Sequence, residues 1–229
     1  MNGGAVYHCP IEGGFTFCEA LTDYFLSRGR SVPESLLNGA APAEYRNEHG
    51  KPYFSEPEFD GIFFSRSDTG GYKAVGFSDR EIGVDCENTE GRPGIASRYR
   101  MIAERFFTED EQAWLRPEHS GDGSCCVSGS PEGKAPGEHR GDGSCCVPDS
   151  PEGEAPGGFG SDTGVDLGPA GRFFEIWTAK EAYMKYTGRG FSEGFRSFSV
   201  FCLPEVDIET GRFDGAPNIV FSVCTGRKQ

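Results

Sequence analysis

Four side chains in two short motifs carry the chemistry legible in this sequence. The first motif is "IGVDCE", residues 82–87, where an apolar run ends in Asp85 and Glu87. Residues two apart on a strand point to the same side, so both carboxylates face one point. Like charges held together are unfavourable unless something positive lies between them. The second motif is "WTAKEAYMK", residues 177–185, where Glu181 and Lys185 stand four apart and share a helix face. Three carboxylates, Asp85, Glu87 and Glu181, suffice to surround one cation. All-oxygen ligation selects a hard ion, most often Mg2+. Such an ion keeps several waters and usually shares its shell with substrate phosphates. A lysine beside it neutralises phosphate oxygens. The residue types therefore predict a Mg2+–phosphate site joining two distant parts of the chain.

Plainer roles fit the same residues. Thr178 with Glu181, and Thr108 with Glu111, each spell the T-x-x-E of a helix capping box. Glu181 and Lys185 also suit an ordinary surface ion pair, worth only about a few tenths of a kcal/mol. Asp85 and Glu87 suit a turn at a strand end, which leaves their place after an apolar run unexplained.

The elements that must position these groups are read from periodicity. Residues 13–30 predict a first helix, with Phe17, Ala20, Leu21, Tyr24 and Phe25 at helical spacing. Residues 31–50 read as loop from their Pro, Gly and Asn content. "KPYF", "GIFFSRS", "GYKAVGFS" and "EIGVDCE" read as extended segments. Residues 93–107 predict a helix, and Thr108 predicts the N-cap of another. Residues 172–177 read as extended, 178–186 as helix with Gly188 as its C-terminal cap. "FRSFSVFCL" and "NIVFSVC" read as closing strands. Helix plus strands occurs twice, which predicts an α+β chain of two related halves, 1–83 and 84–229.

Composition bounds the rest. The chain has 229 residues, 36% of them hydrophobic, enough for a substantial core. Its net charge of −14 argues against a general nucleic-acid binder or a membrane-surface protein. An anionic ligand then needs a local cationic pocket or a bridging metal. No apolar run approaches membrane-spanning length and no secretory signal is visible. Nine cysteines without a framework spacing predict a reducing, cytoplasmic setting. "EHSGDGSCCVSGSPEGKAPG" is followed at once by "EHRGDGSCCVPDSPEGEAPG". Two copies are too few for a solenoid and lack the apolar residues to build a core, so 117–170 is expected to be a disordered, low-complexity insertion in the second half. Its cysteine pairs and histidines lack the spacing of a zinc site, and its acidic turn lacks the closing glutamate of a calcium loop.

With these residues in hand, "IGVDCE", the downstream "WTAKEAYMK", the upstream "GKPYF" and a Ser-x-Ser element resemble the 4′-phosphopantetheinyl transferases of the surfactin-synthetase-activating type. The resemblance spans 50–191 apart from the repeat. It implies a fold of two related α+β halves in a pseudo-twofold arrangement. It implies transfer of the phosphopantetheine arm of coenzyme A to a serine of an apo carrier protein, with release of adenosine 3′,5′-bisphosphate. Asp85, Glu87 and Glu181 would hold Mg2+ on the pyrophosphate, and Lys185 would lie beside the phosphates. Gly50, Lys51 and Pro52 match the turn that contacts coenzyme A, and Ser65 and Ser67 the two serines of a Ser-His-Ser element. Glu111 matches an acid proposed as base, so the serine proton goes to Glu181 or Glu111. Two departures stand out. Arg66 replaces the central histidine; as a permanent cation it keeps a phosphate contact but cannot act as acid or base. The basic cluster for the coenzyme's 3′-phosphate has only Arg28, Arg30 and Arg46 as candidates. The expected protein is a monomer acting on coenzyme A and an acidic carrier protein of fatty-acid, polyketide or non-ribosomal peptide synthesis, docked through Arg98, Arg100, Arg105 and Arg189. The rival readings are another Mg2+-dependent pyrophosphate-cleaving enzyme, and a catalytically weak protein that binds coenzyme A or a carrier.

Overall fold

A computed structural model describes residues 4–90, 95–116, 168–190 and 194–227. The tandem repeat lies outside them. The chain opens with strand β1 (Gly4–Pro10) and helix α1 (Phe17–Ser27), then the single turn α2 (Glu34–Leu37). A small hairpin follows, β2 (Glu44–Arg46) and β3 (Pro52–Phe54), and then β4 (Phe63–Thr69) and β5 (Tyr72–Ser78). Thr16 starts α1 through a capping box: its hydroxyl accepts from Glu19 N at 3.2 Å, and Glu19 Oε2 accepts from Thr16 N at 2.6 Å. Between β4 and β5 the chain reverses in two residues, Gly70 and Gly71, at φ 49° and 86°. That tight turn needs positive φ twice, which glycine adopts without penalty. The three strands form an antiparallel sheet in the order β1-β5-β4. Helix α1 buries Leu21, Tyr24 and Phe25 against Phe64, Val75 and Phe77 of that sheet.

The second part runs β6 (Ile82–Asn88), α3 (Ile95–Phe106), α4 (Glu109–Trp114), α5 (Gly168–Thr187), β7 (Val206–Phe213) and β8 (Ala216–Gly226). Its sheet is also three-stranded and antiparallel, in the order β6-β8-β7. In each sheet a strand, a helix and a hairpin follow in turn, and the last strand takes the centre.

Residues 172–177, expected to be extended, are helical, because α5 begins at Gly168. "FFEIW" is aromatic and branched and so favours a strand by propensity. Here Phe173, Phe174 and Ile176 are all buried, between the sheet and the neighbouring helices, and burial overrides propensity. Thr178 is therefore mid-helix and caps nothing; its hydroxyl bonds back to Phe174 O at 2.9 Å. Nor is 195–203 a strand: Phe195–Ser197 forms a 3-10 turn, and the hairpin partner of β8 is Val206–Phe213.

The two sheets meet along β4 and β6. Ser65 Oγ accepts from Val84 N at 2.9 Å, Cys86 Sγ donates to Ser67 O at 3.6 Å, and Thr69 Oγ1 accepts from Asn88 N at 3.0 Å. The constant offset of 19 residues shows that β4 and β6 run side by side in the same direction. Val84 and Cys86 face a core shared with Ala74 and Phe213, so Gly83, Asp85 and Glu87 face α5.

Gly83 sets how close α5 comes. A Cβ there would lie 1.9 Å from Ala182 O and 2.5 Å from Tyr186 N, both backbone atoms of the helix. Only glycine lets the helix rest on the strand and carry Glu181 and Lys185 down to Asp85. Gly83→Ala is expected to lower folding stability by about 3 kcal/mol, the upper end for an overpacked core. A chemical-denaturation midpoint equal to the parent's would contradict the close approach.

Candidate functional site

A cleft of about 310 Å³ opens between the β2–β3 hairpin, β4 and the C-terminal half of α5. The hairpin contributes Arg46, His49, Gly50, Lys51 and Pro52; β4 contributes Phe64, Ser65 and Arg66; α5 contributes Glu181, Met184 and Lys185. Gly188, Gly190 and Phe195 complete it. The walls thus hold several cationic side chains in a chain of strongly negative net charge. Such a local field suits a polyanionic ligand.

The hairpin is fastened to the end of α5. Asn47 Nδ2 donates to Gly188 O at 2.9 Å, and Asn47 Oδ1 accepts from the backbone of His49 and Lys51. Lys51 is buried; its ammonium donates to Tyr186 O at 2.7 Å and pairs with Glu81. Burial holds that ammonium below its ordinary proton affinity, opposed by Glu81. Lys51 therefore lines the cleft while its charge serves one open carbonyl of the helix end, Tyr186 O, and its partner Glu81. Gly188 ends α5 at φ 65°, and a Cβ there would meet Lys51 Cδ at 2.8 Å.

At the inner end the two motifs touch. Lys185 Nζ donates to Asp85 Oδ1 at 2.8 Å, to Val84 O at 3.0 Å and to Arg66 O at 3.3 Å. Asp85 Oδ1 also accepts from Ser67 Oγ at 2.8 Å, and Glu87 Oε2 from Thr69 Oγ1 at 3.2 Å. Each acid of β6 is thus held by a hydroxyl from the opposite sheet. Ser67 reaches Asp85 and is buried, whereas Ser65 lines the cleft and also bonds Val84 N. Burial, then the charges of Asp85 and Glu87, push the Glu181 carboxyl up to about 7, with Lys185 pulling the other way.

Among the described residues, no three His, Cys, Asp or Glu side chains lie close enough to hold one metal ion. The donor chemistry nevertheless fits a hard cation. Asp85 Oδ2 is buried without a hydrogen-bond partner, and Glu181 faces the field of two other carboxylates. An added positive charge would satisfy both conditions.

Glu111 sits elsewhere. It is fully buried and does not line the cleft. Its Oε2 pairs with Lys180 Nζ at 2.9 Å and accepts from Thr108 N, and its Oε1 accepts from Val200 N at 2.8 Å. Lys180 Nζ also donates to Phe195 O and Phe198 O, each at 2.6 Å. A carboxylate locked in these bonds is a brace between α4, α5 and the 195–200 segment, not a base exposed to substrate. Of the arginines considered for a 3′-phosphate, Arg46 lines the cleft, whereas Arg28 and Arg30 lie against Tyr24 and Phe25 of α1. His49, Met184 and Phe195 join the cleft without having been singled out. His49 and Gly50 adjoin the "KP" turn, and that adjacency was the available signal.

Among the described residues, no helix is long and apolar enough to cross a membrane. No curated protein matches the chain in sequence. A family model does match, over residues 162–226, which include Glu181, Lys185 and the hairpin β7–β8 and leave out Asp85 and Glu87. That model describes the 4′-phosphopantetheinyl transferase superfamily, to which this segment of the chain is similar.

Proposed function

We propose that this protein transfers the 4′-phosphopantetheine group of coenzyme A to a serine of an apo carrier protein, with Mg2+ at the acids. The observation that carries the reading is the contact between the two motifs. Lys185 of the family-matched segment lines a cleft walled by cations and bonds the buried Asp85 of β6. The reading extends to the two-half division at 1–83 and 84–229 in pseudo-twofold relation, which the shared strand–helix–hairpin order favours.

Asp85, Glu87 and Glu181 are the acids that would hold the ion, after side-chain movement that draws them closer than they stand here. When bound, it would offset the charge of the pyrophosphate and of the departing α-phosphate. The chain's own groups do the rest. The cationic walls orient the pyrophosphate, and Lys185 turns from Asp85 towards a phosphate oxygen. The carrier serine oxygen bonds the β-phosphorus, the bond from that phosphorus to the α-phosphate oxygen breaks, and adenosine 3′,5′-bisphosphate leaves with the electron pair. Glu181, the acid in the cleft, receives the serine proton. Positioning and electrostatics suffice for such a step, so no nucleophilic side chain of this chain is used.

The carrier docks, in this reading, on the exposed face of α3. Arg98, Met101 and Arg105 recur there at i, i+3 and i+7 and are all exposed. Arg98→Glu should raise the Michaelis constant for an acidic carrier several-fold while sparing that for coenzyme A, as expected of a rim charge. Equal carrier kinetics at low salt would reject this surface.

The reaction is tested by its products. Coenzyme A should release adenosine 3′,5′-bisphosphate in proportion to added apo acceptor. Release without acceptor would instead identify a pyrophosphate-cleaving hydrolase.

A further inference from the structure

One cation of the cleft wall is already engaged. Arg66 Nη2 donates to Glu44 Oε2 at 2.8 Å, a contact from β4 to the β2–β3 hairpin. The guanidinium carbon lies 5.2 Å from the ring centres of both Phe17 and Phe64. The side chain is 38% exposed, so a ligand in the cleft can reach it. The carbonyl of Arg66 accepts from Lys185 Nζ, which places the residue beside the ammonium that faces Asp85.

A guanidinium binds carboxylate and phosphate with the same planar fork. Glu44 and a phosphate in the cleft therefore compete for one donor set. The two aromatic faces keep the guanidinium at the wall when the carboxylate lets go. A phosphate with more charge than a carboxylate wins the fork, and a singly charged anion does not.

We propose that Glu44 is a specificity-determining residue of this site: it latches Arg66, and only a ligand whose phosphates displace the Glu44 carboxylate gains the arginine. The proposal rests on the coenzyme A reading above. It turns the replacement of histidine by arginine into a tuned contact, because a permanent cation left unopposed would hold any polyphosphate.

Exposed ion pairs contribute little, so releasing the latch has a modest effect in a defined direction. Calorimetric titration of coenzyme A, and separately of inorganic pyrophosphate, is performed on the parent protein, Glu44→Gln, Arg66→Ala and the double variant. Unfolding midpoints equal to the parent's confirm that each variant is folded. Glu44→Gln should bind both probes about two- to five-fold more tightly, and that gain should vanish in the Arg66→Ala background. Unchanged affinity in Glu44→Gln overturns the latch. Weaker binding also overturns it, and makes Glu44 a brace that orients the arginine. Tighter binding of pyrophosphate with no binding of coenzyme A keeps the latch and rejects the coenzyme A reading. If neither probe binds any of the four proteins, both fall together.

Discussion

Replacing Lys180 with methionine is expected to lower folding stability by about 3–5 kcal/mol, the range for a buried ion pair that loses one partner. Lys180 and Glu111 are both 0% exposed and bonded at 2.9 Å. Methionine fills much of the same space but leaves the buried Glu111 carboxyl without its cationic partner. It also orphans the carbonyls of Phe195 and Phe198. Burial lowers the proton affinity of the Lys180 ammonium and Glu111 works against that shift, so the pair persists only because each charge has the other. Chemical denaturation measures the loss. Adding Glu111→Leu should recover only part of it, since the unpaired acid is gone while the two carbonyls, and now the Thr108 and Val200 amides, lose these partners. Phe195 lines the cleft, so the single variant should also weaken ligand binding. A Lys180→Met protein as stable as the parent would show that the buried pair does not hold these elements together. Glu111→Gln separates bracing from base catalysis. A folded variant with near-parental turnover supports bracing, and a folded but inactive one restores Glu111 as a catalytic group.

Asp85→Ala and Glu181→Ala are each expected to slow transfer by about 10²-fold or more, the scale on which lost transition-state charge stabilisation is felt. Asp85 is the residue on which the second motif and the Ser-x-Ser element converge, through Lys185 and Ser67. Its removal frees Lys185 from a fixed place and deletes the buried oxygen that lacks a partner. Glu181 is the acid in the cleft, so in the proposed reaction its loss removes both a ligand and the proton acceptor. Glu181→Gln keeps the shape and one oxygen, and should be less impaired in binding coenzyme A than in turnover. Turnover near the parent's in a folded Asp85→Ala protein would reject the role of the acids. The parent should also lose activity on removal of divalent ions and regain it with Mg2+.

The residues that proved hard to read share a cause. The proposed acids Asp85 and Glu87 stand out in the sequence because carboxylates after an apolar run are costly. Lys185 bonds Asp85 across 100 residues, and the sequence named both ends without giving their contact. Lys180 was invisible because a lysine beside a glutamate on a helix reads as a solvated face; only packing shows it fully buried. Its ammonium takes two backbone carbonyls near 195–198, which explains why that apolar, alternating stretch is not a strand. The segment 172–177 reads as extended in the sequence because of its packing. Helix α5 is covered on several sides, so the one-sided periodicity that marks a surface helix is missing. Strand β7 is not legible in the sequence because it is an edge strand with polar, partly exposed residues and a glycine, a pattern close to that of a loop. Gly83 carried no signal as a single residue, and its purpose appears only once the helix lies upon it.

The most direct measurement is the intact mass of an apo carrier protein after incubation with this protein, coenzyme A and Mg2+. The account predicts a gain of one phosphopantetheine group, located at a serine and absent with the Asp85→Ala protein or after chelation of Mg2+. A carrier of unchanged mass, under conditions where coenzyme A binds or is cleaved, would contradict it.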